Sequence, residues 1–468
     1  MMPVGMFGTA FNIMGGAFKG ATTASMWTGN MIYTALQNAR TKKEIREIYN
    51  RASEANFKNR SVATLPSVDR QQLMLVSGDP AENDIYDYSA ASQTIALDYI
   101  WGESDDPDGT IVSGGQATDR VHALIPFVHK AQQQGLPIIA VHAGNDGLNR
   151  MIGAHSVCNE SISKKDLYYD VFRGMPVEDI AFLLYETMPE DDANPAAEAL
   201  LHALLEVLSR TAGNINIQTL AAFPLTSLKA KIDGMQKTGE LDPDEYAEIN
   251  RYYMSGSSEL DAVRIFLNRL NRQAESVYGK KTTNPCNMKR ILNHKGVVSI
   301  DVGSTGNELL LSLVANHLSL LQSQGREFAM LIDSVPVSRS KKLVELTHYC
   351  VFAVSNSDFV ASLFGGEARG EDLFSEITGN AGTVVLFRHA SGTSCKKWSE
   401  HLGTYNKIHI RYSLSQNRAF MNSSDSRGLS VDEKEEPRVR AETIGRLPEH
   451  FACIHTIGGT LLAEVSGP

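Results

Sequence analysis

Cysteine is scarce in this chain. Five cysteines (Cys158, Cys286, Cys350, Cys395 and Cys453) are spread over 468 residues, an odd number with no CxxC pair among them. That argues against a disulfide framework and a structural zinc site, and makes reduced thiols the ordinary reading. No stretch of about 20 strongly apolar residues is present, so no firm transmembrane helix is read. Positive charge is also short. The net charge is −10 and the isoelectric point about 5.8, against a surface coated all over by nucleic acid, though a local basic channel remains open. Histidines do not cluster: His122, His129, His142 and His155 are singletons. His122 and His129 lie two helical turns apart, too far to share a metal. No internal repeat or long low-complexity tract breaks the chain. The basic doublets at 164–165, 280–281, 289–290, 341–342 and 396–397 read first as scattered solvated charge and second as the lining of a groove for an acidic partner.

Charge is nearly missing from residues 1–36, where Lys19 is the single charged side chain. Three readings stay open there. One is a weakly hydrophobic membrane-associated segment, with Gly16 and Gly20 in a close-packing GxxxG. The second is a helix packed on a partner. The third, a cleaved secretion signal, lacks a basic start and a small-residue cleavage site. A charged helix over 41–56 follows and links this segment to the body.

The length allows two to three domains. Residues 110–150 read as strand, glycine turn, amphipathic helix, strand and second glycine turn. Val121, Leu124, Ile125 and Val128 follow the helical period, and Pro126 is expected to kink it. A strand is expected at 72–76 and an acidic loop at 104–108. After Gly153 the pattern is helical for most of the way to Lys295, with Asn194-Pro195 and Asp242-Pro243 as paired cap and first-turn signals. Strands return at 296–300, 328–333, 350–354, 383–387 and 408–412. A Leu-rich helix spans 307–322. A polar loop is expected at 422–436 and a closing hairpin at 450–465 turning at Gly458-Gly459. The domain reading is therefore an apolar start and helical linker over 1–60, a first α/β part over 61–155, an inserted all-helical domain over 156–295, and a second α/β part over 296–468.

The chemistry concentrates in two places. The turn after the first strand lies where a phosphate loop, GxxxxGK[ST], would lie. Its glycines free backbone N–H groups for phosphate, its Lys neutralises charge, and its hydroxyl holds Mg²⁺. Here Gly114 stands, followed by Gly115, but Asp119 replaces the second Gly, Arg120 the Lys and Val121 the Ser/Thr. An offset register over 109–116 puts Gly115 in place of Lys. The second place is 328–333, an apolar run ending in Asp333, as in a Walker B strand. Ser334 stands where an active ATPase would carry a water-activating Glu. A third stretch, 298–306 (VSIDVGSTG), is similar to the first phosphate loop of sugar kinases and actin-like ATPases, but a Leu-rich helix follows instead of a β-hairpin.

Order carries more than any one motif: phosphate-loop unit, helical insertion, Walker B-like strand, two further strands, closing hairpin. From residue 110 onward this resembles the ATPase domain of type IV secretion and conjugation coupling proteins, the TraD/TraG/TrwB kind within the FtsK-like RecA-fold superfamily. Residues 140–148 resemble the family's DPKGD segment with His142 in place of an Asp. Ser355-Asn356 stand where the family has Gln-Ser. The resemblance implies an α/β fold: a RecA-like P-loop NTPase-type sheet flanked by helices, with an inserted all-α domain. The departures fall on catalytic positions, leaving Gly114, Gly115, Asp119, Arg120, Val121, Asp333 and Ser334 as a nucleotide-site remnant. The expectation is a pseudo-ATPase with no catalytic residue, metal or cofactor. It would be an adaptor at the cytoplasmic face of the bacterial inner membrane, beside secretion subunits or an active paralogous ATPase, as a homo- or hetero-oligomer; a DNA partner has little support. Two alternatives stand beside it. One is an active translocating ATPase using ATP and Mg²⁺ with Arg120 for Lys. The other is a sugar-kinase or actin-like phosphotransferase acting through Asp301.

Overall fold

Strand residues in the body of the protein alternate between two apolar layers, which requires a sheet covered on both faces. Ile139, Val141, Val298, Ile300, Met330 and Ile332 belong to one buried cluster, while their strand neighbours Ile138, Ala140, Val297, Ala329 and Leu331 belong to the other. The computed structural model describes residues 42–60, 62–65, 109–145, 159–162, 170–279, 288–304, 306–336, 340–364, 370–419, 422–456 and 459–465, with 31, 32, 35, 147, 148 and 150 besides. The strand expected at 72–76, the acidic loop at 104–108, the doublets at 164–165 and 280–281, and nearly all of 1–36 lie outside them.

In chain order the elements open with α1 (Lys42–Arg60), β1 (Val62–Leu65), β2 (Gly109–Ser113), α2 (Ala117–Gln133), β3 (Ile138–His142) and β4 (Asn159–Ile162). Six helices follow: α3 (Val177–Thr187), α4 (Pro195–Thr211), α5 (Ile217–Ala222), α6 (Leu228–Thr238), α7 (Pro243–Gly256) and α8 (Leu260–Tyr278). Then come α9 (Met288–Asn293), β5 (Val297–Asp301), α10 (Glu308–Ser323), β6 (Ala329–Asp333), α11 (Lys341–Leu346) and β7 (Val351–Asn356). The chain continues through α12 (Phe359–Phe364), α13 (Gly370–Gly379), β8 (Ala381–Leu386), α14 (Gly392–His401), β9 (Thr404–Ala419) and β10 (Asn422–Pro437). It closes with α15 (Ala441–Gly445), β11 (Phe451–Thr456) and β12 (Gly459–Glu464).

The main sheet has ten strands among the described residues, ordered β1-β12-β11-β8-β2-β7-β6-β3-β5-β4. From β8 to β4 every neighbouring pair is parallel; β11 is antiparallel to β8 and to β12. β7 therefore separates β2, which carries the glycine turn, from β6, which carries Asp333. This is the RecA-like, mostly parallel P-loop NTPase-type sheet that the sequence leads one to expect.

Helix α2 covers one face through Val121, Leu124, Phe127 and Val128, all buried. Pro126 sits inside it without ending it; proline deletes one N–H and leaves the flanking turns to hold. The other face is covered by α10, whose Leu310, Leu313, Val314 and Leu318 are fully buried. The cap signals are realised: Asn194 Oδ1 accepts the N–H groups of Ala196 and Ala197 at 3.0 and 2.9 Å, and Asp242 Oδ1 accepts that of Glu245 at 2.8 Å. The apolar stripe of α4 (Leu200, Leu201, Leu204, Leu205, Leu208) is buried and joins the core cluster on that same face of the sheet.

Two local expectations need correction. Asn159–Ile162 falls in the span read as helical, yet it is β4, paired with β5 at the sheet edge. The helical run begins after it. Residues 422–436, read as a loop, form β10, which pairs antiparallel with β9 over sixteen positions. Polar composition misled there because a two-layer ribbon needs only one apolar face.

Two histidines, buried His317 and half-buried His455, are expected to make the fold acid-sensitive. Burial holds His317, on α10, down to about 4, and burial with His401 and Arg438 nearby does the same to His455, on β11. Both folded values lie below the ordinary 6.5, so the unfolded chain binds more protons between about 4 and 6.5 and stability falls as pH drops through that window. Each is expected to cost on the order of 2 kcal/mol at pH 5 relative to pH 8. Urea midpoints at the two pH values measure the sum. An unchanged midpoint would show that these imidazoles do not titrate in this range on unfolding.

Candidate functional site

The carboxyl ends of the parallel strands bring the remnant residues together. After Ser113 the chain turns through Gly114 (φ +87°) and Gly115 (φ +63°), a conformation that favours glycine. The turn is pressed against the end of β8: a Cβ on Gly114 would lie 2.7 Å from the Phe387 carbonyl, and one on Gly115 2.7 Å from Phe387 Cβ. Its amides are occupied. Gly114 N–H donates to the Asn356 carbonyl and Gly115 N–H to the Arg388 carbonyl, each at 3.0 Å.

Asp119, third residue of α2, is buried. Its Oδ2 accepts the Gln116 N–H at 3.3 Å and its Oδ1 pairs with His450 Nδ1 at 2.8 Å. It stands where an anion is favoured, at the amino end of a helix, and brings that anion from the chain itself. Beside it Arg120, 5% exposed, turns its Nη1 back onto the Gly115 carbonyl at 3.1 Å and the Gly114 carbonyl at 3.4 Å. Burial pulls its guanidinium below the ordinary value, opposed by the charges of Asp333 and Asp119. An arginine stays charged under such a shift. Val121 is buried in the core under α2, so no hydroxyl is offered at that position.

Asp333, at the end of β6, is fully buried. Asn145 Nδ2 donates to its Oδ2 at 2.7 Å, while its Oδ1, like Arg120 Nε, has no hydrogen-bond partner. The Arg120 charge therefore balances a second carboxylate without touching it. Ser334 has φ +57°, strained for a side chain larger than Gly, and its N–H donates to the Ser355 carbonyl at 2.8 Å.

Asp301 lies apart. Its Oδ1 accepts the N–H of Gly144 at 2.9 Å and of Gly303 at 2.7 Å, tying the ends of β3 and β5. Helix α10 follows rather than a hairpin, so the phosphotransferase reading loses the element order it needs. His142 Nδ1 accepts the Asn145 N–H at 3.0 Å, which orients the loop that presents Asn145 to Asp333. Among the described residues no group of His, Cys, Asp and Glu has metal-holding geometry. The basic doublets at 341–342 and 396–397 meet acids: Lys342 reaches Glu186 at 3.8 Å and Lys397 reaches Glu371 at 3.0 Å.

Three participants escaped sequence reasoning. His450, also in the left-handed region at φ +66°, arrives from 331 positions away, and Asn145 lies 188 positions from Asp333. Neither separation leaves a local signal, although Asn145 lay in a flagged segment. The third is a buried pair at the root of the turn. His389 Nδ1 bonds the Phe387 carbonyl at 2.8 Å, so that nitrogen carries the proton and Nε2 accepts from Ser113 Oγ at 2.8 Å. Ser113 Oγ in turn accepts the Phe359 N–H at 3.1 Å. Both side chains are buried, and they lock β2 to β8 and α12.

No family model matches the chain, and no curated protein matches it in sequence. Solved structures match its fold. The plasmid coupling protein TrwB in complex with the non-hydrolysable ATP analogue ADPNP superposes with a TM-score of 0.50 and 13% identity, over 77% of this chain and 86% of that one. VirB4 of Thermoanaerobacter pseudethanolicus gives 0.44 and 10% identity, over 79% and 92%. At such identities the likeness is one of fold.

Removing one member of a buried charge set leaves the others uncompensated. Arg120→Ala is expected to cost about 3 kcal/mol, since Asp119 and Asp333 both lose their nearby cation. Asp119→Asn keeps the shape and the acceptor oxygen and is expected to cost about 1 kcal/mol. Chemical denaturation checks this; equal losses would show that Arg120 has no special weight.

Proposed function

We propose that this chain is a pseudo-ATPase of the coupling-protein kind, a structural or adaptor subunit of a bacterial type IV secretion or conjugation system. One observation carries the reading. Asp119 takes the anion position at the head of α2, and Arg120 is spent on the loop's own carbonyls and the field of Asp333. A triphosphate would have to displace a carboxylate it repels, and no lysine or hydroxyl would receive it. The TrwB-like sheet supports the machine class, because the neighbours are a conjugative coupling protein and VirB4. The natural partner is then an active ATPase of the same fold, with this chain contributing shape rather than turnover. We place it at the cytoplasmic face of the inner membrane. No helix among the described residues is long and apolar enough to cross a membrane, so the attachment would come from a partner or from residues 1–36.

The competing reading is an active translocating ATPase with Arg120 in the role of Lys. Arginine binds oxyanions as a planar fork, and this fork already faces carbonyls.

Thermal shift separates the two. A ligand at about 100 times its dissociation constant stabilises a fold by about 2.7 kcal/mol. The native chain is expected to show no MgATP-dependent shift. The triple variant Asp119→Gly, Arg120→Lys, Val121→Thr rebuilds GxxxxGKT and is expected to acquire one. A shift in the native chain that Arg120→Ala abolishes would sink the pseudo-ATPase reading. Affinity capture from the source cell is expected to recover an active ATPase of the same fold.

A further inference from the structure

The hairpin β9–β10 forms a separate two-stranded sheet, and at 16 residues per strand it reaches about 50 Å. A two-stranded ribbon is marginal in water without a third strand or a covering layer. Helix α1 supplies part of that cover: Ile48 and Ala52 pack with Ile408, and Ile410 and Val431 lie against them. The same helix closes one edge of the ribbon. Asn56 Nδ2 donates to the Ile408 carbonyl at 2.9 Å, Asn56 Oδ1 accepts the Ile408 N–H at 2.6 Å, and the Tyr49 hydroxyl donates to the Ile410 carbonyl at 3.5 Å. One side-chain amide thereby stands in for a strand neighbour.

These bonds fix the parity of the ladder. Ile408 lies opposite Glu433, and its N–H and C=O point away from β10, so this is a non-hydrogen-bonded pair. Glu433 must then aim its own N–H and C=O away from β9. The alternate positions Val431, Leu429 and Arg427 do the same. Among the described residues β10 pairs with β9 alone. Among those residues its outer edge is unpaired, a template for another strand flanked by the exposed side chains of Asp432, Glu433 and Lys434.

We propose that this edge is an interface between two copies of this chain. β10 of each copy pairs antiparallel with β10 of the other, about a two-fold axis at Ser430. A two-fold normal to a sheet keeps each residue on its own face, so only residues of equal parity can oppose one another. Residue types then choose among the few centres allowed. With Ser430 on the axis, Leu429 opposes Val431 and Arg427 opposes Glu433, each pair occurring twice. Asp425 and Glu435, the like-charged pair of this register, lie five positions from the axis. Centring on Leu429 would oppose Arg427 to Val431 and Asp425 to Glu433, losing the opposite-charge pair, and centring on Val431 would set Leu429 against Glu433. The result is a four-stranded ribbon closed at each outer edge by one copy's α1.

Cysteine cross-linking of the full chain tests this. Residues at the axis form a non-hydrogen-bonded pair about 4.5 Å apart at Cα, within disulfide reach. Ser430→Cys is expected to give a disulfide-linked dimer on mild oxidation, beyond the background of the five native cysteines in the unsubstituted chain. Adding Glu433→Pro removes an outward N–H without touching the β9 ladder, and is expected to lower cross-linking at least tenfold and shift sedimentation toward 51 kDa. A native chain that sediments as a monomer at tens of micromolar, or a Ser430→Cys chain that does not cross-link, overturns the interface. Cross-linking through Val431→Cys but not Ser430→Cys overturns the Ser430-centred pairing.

Discussion

The buried Asp119–Arg120 neighbourhood sets the terms for everything around it. A carboxylate at the amino end of a helix and a guanidinium curled onto the preceding carbonyls satisfy the Gln116 amide and the Gly114 and Gly115 carbonyls from within the chain. Once they are in place, Gly114 and Gly115 can turn their amides onto Asn356 and Arg388. His450 can then close over Asp119 from the start of the last hairpin. Asp333 remains tolerable in the core because Arg120 supplies its field and Asn145 its hydrogen bond. Loss of the guanidinium would leave two buried acids with little to balance them.

The sheet does not depend on that chemistry. Parallel strands buried on both faces are held by side chains that alternate between two apolar layers, and none of those side chains belongs to the turn at Gly114 and Gly115. Asp119, Arg120 and Ser334 lie at the mouth of the sheet, and the strand order sets β7 between β2 and β6.

What could be read from the chain divides along the same line. β2, α2 and β3 were legible because apolar periodicity is local, and the caps at Asn194 and Asp242 because a cap lies beside the turn it serves. β4 was missed: four residues at a sheet edge carry too few apolar positions to stand out. β10 was missed because its polar residues read as solvent. In the site, the residue types of the remnant were visible, but not their pairing. That His450 reaches Asp119, that Asn145 reaches Asp333, and that Ser113 shares a proton with His389 are consequences of closure over 331, 188 and 276 positions, where sequence spacing carries no information.

A resident anion also differs from a bound one in its concentration dependence. A nucleotide stabilises a fold in proportion to the logarithm of its free concentration, and its hydrolysis changes that contribution with every turnover. Asp119 is tethered three residues into α2, so its contribution is constant. The strained backbone at Ser334 and His450 is held by the surrounding structure: the Ser334 N–H is tied to the Ser355 carbonyl and the His450 imidazole to the Asp119 carboxylate.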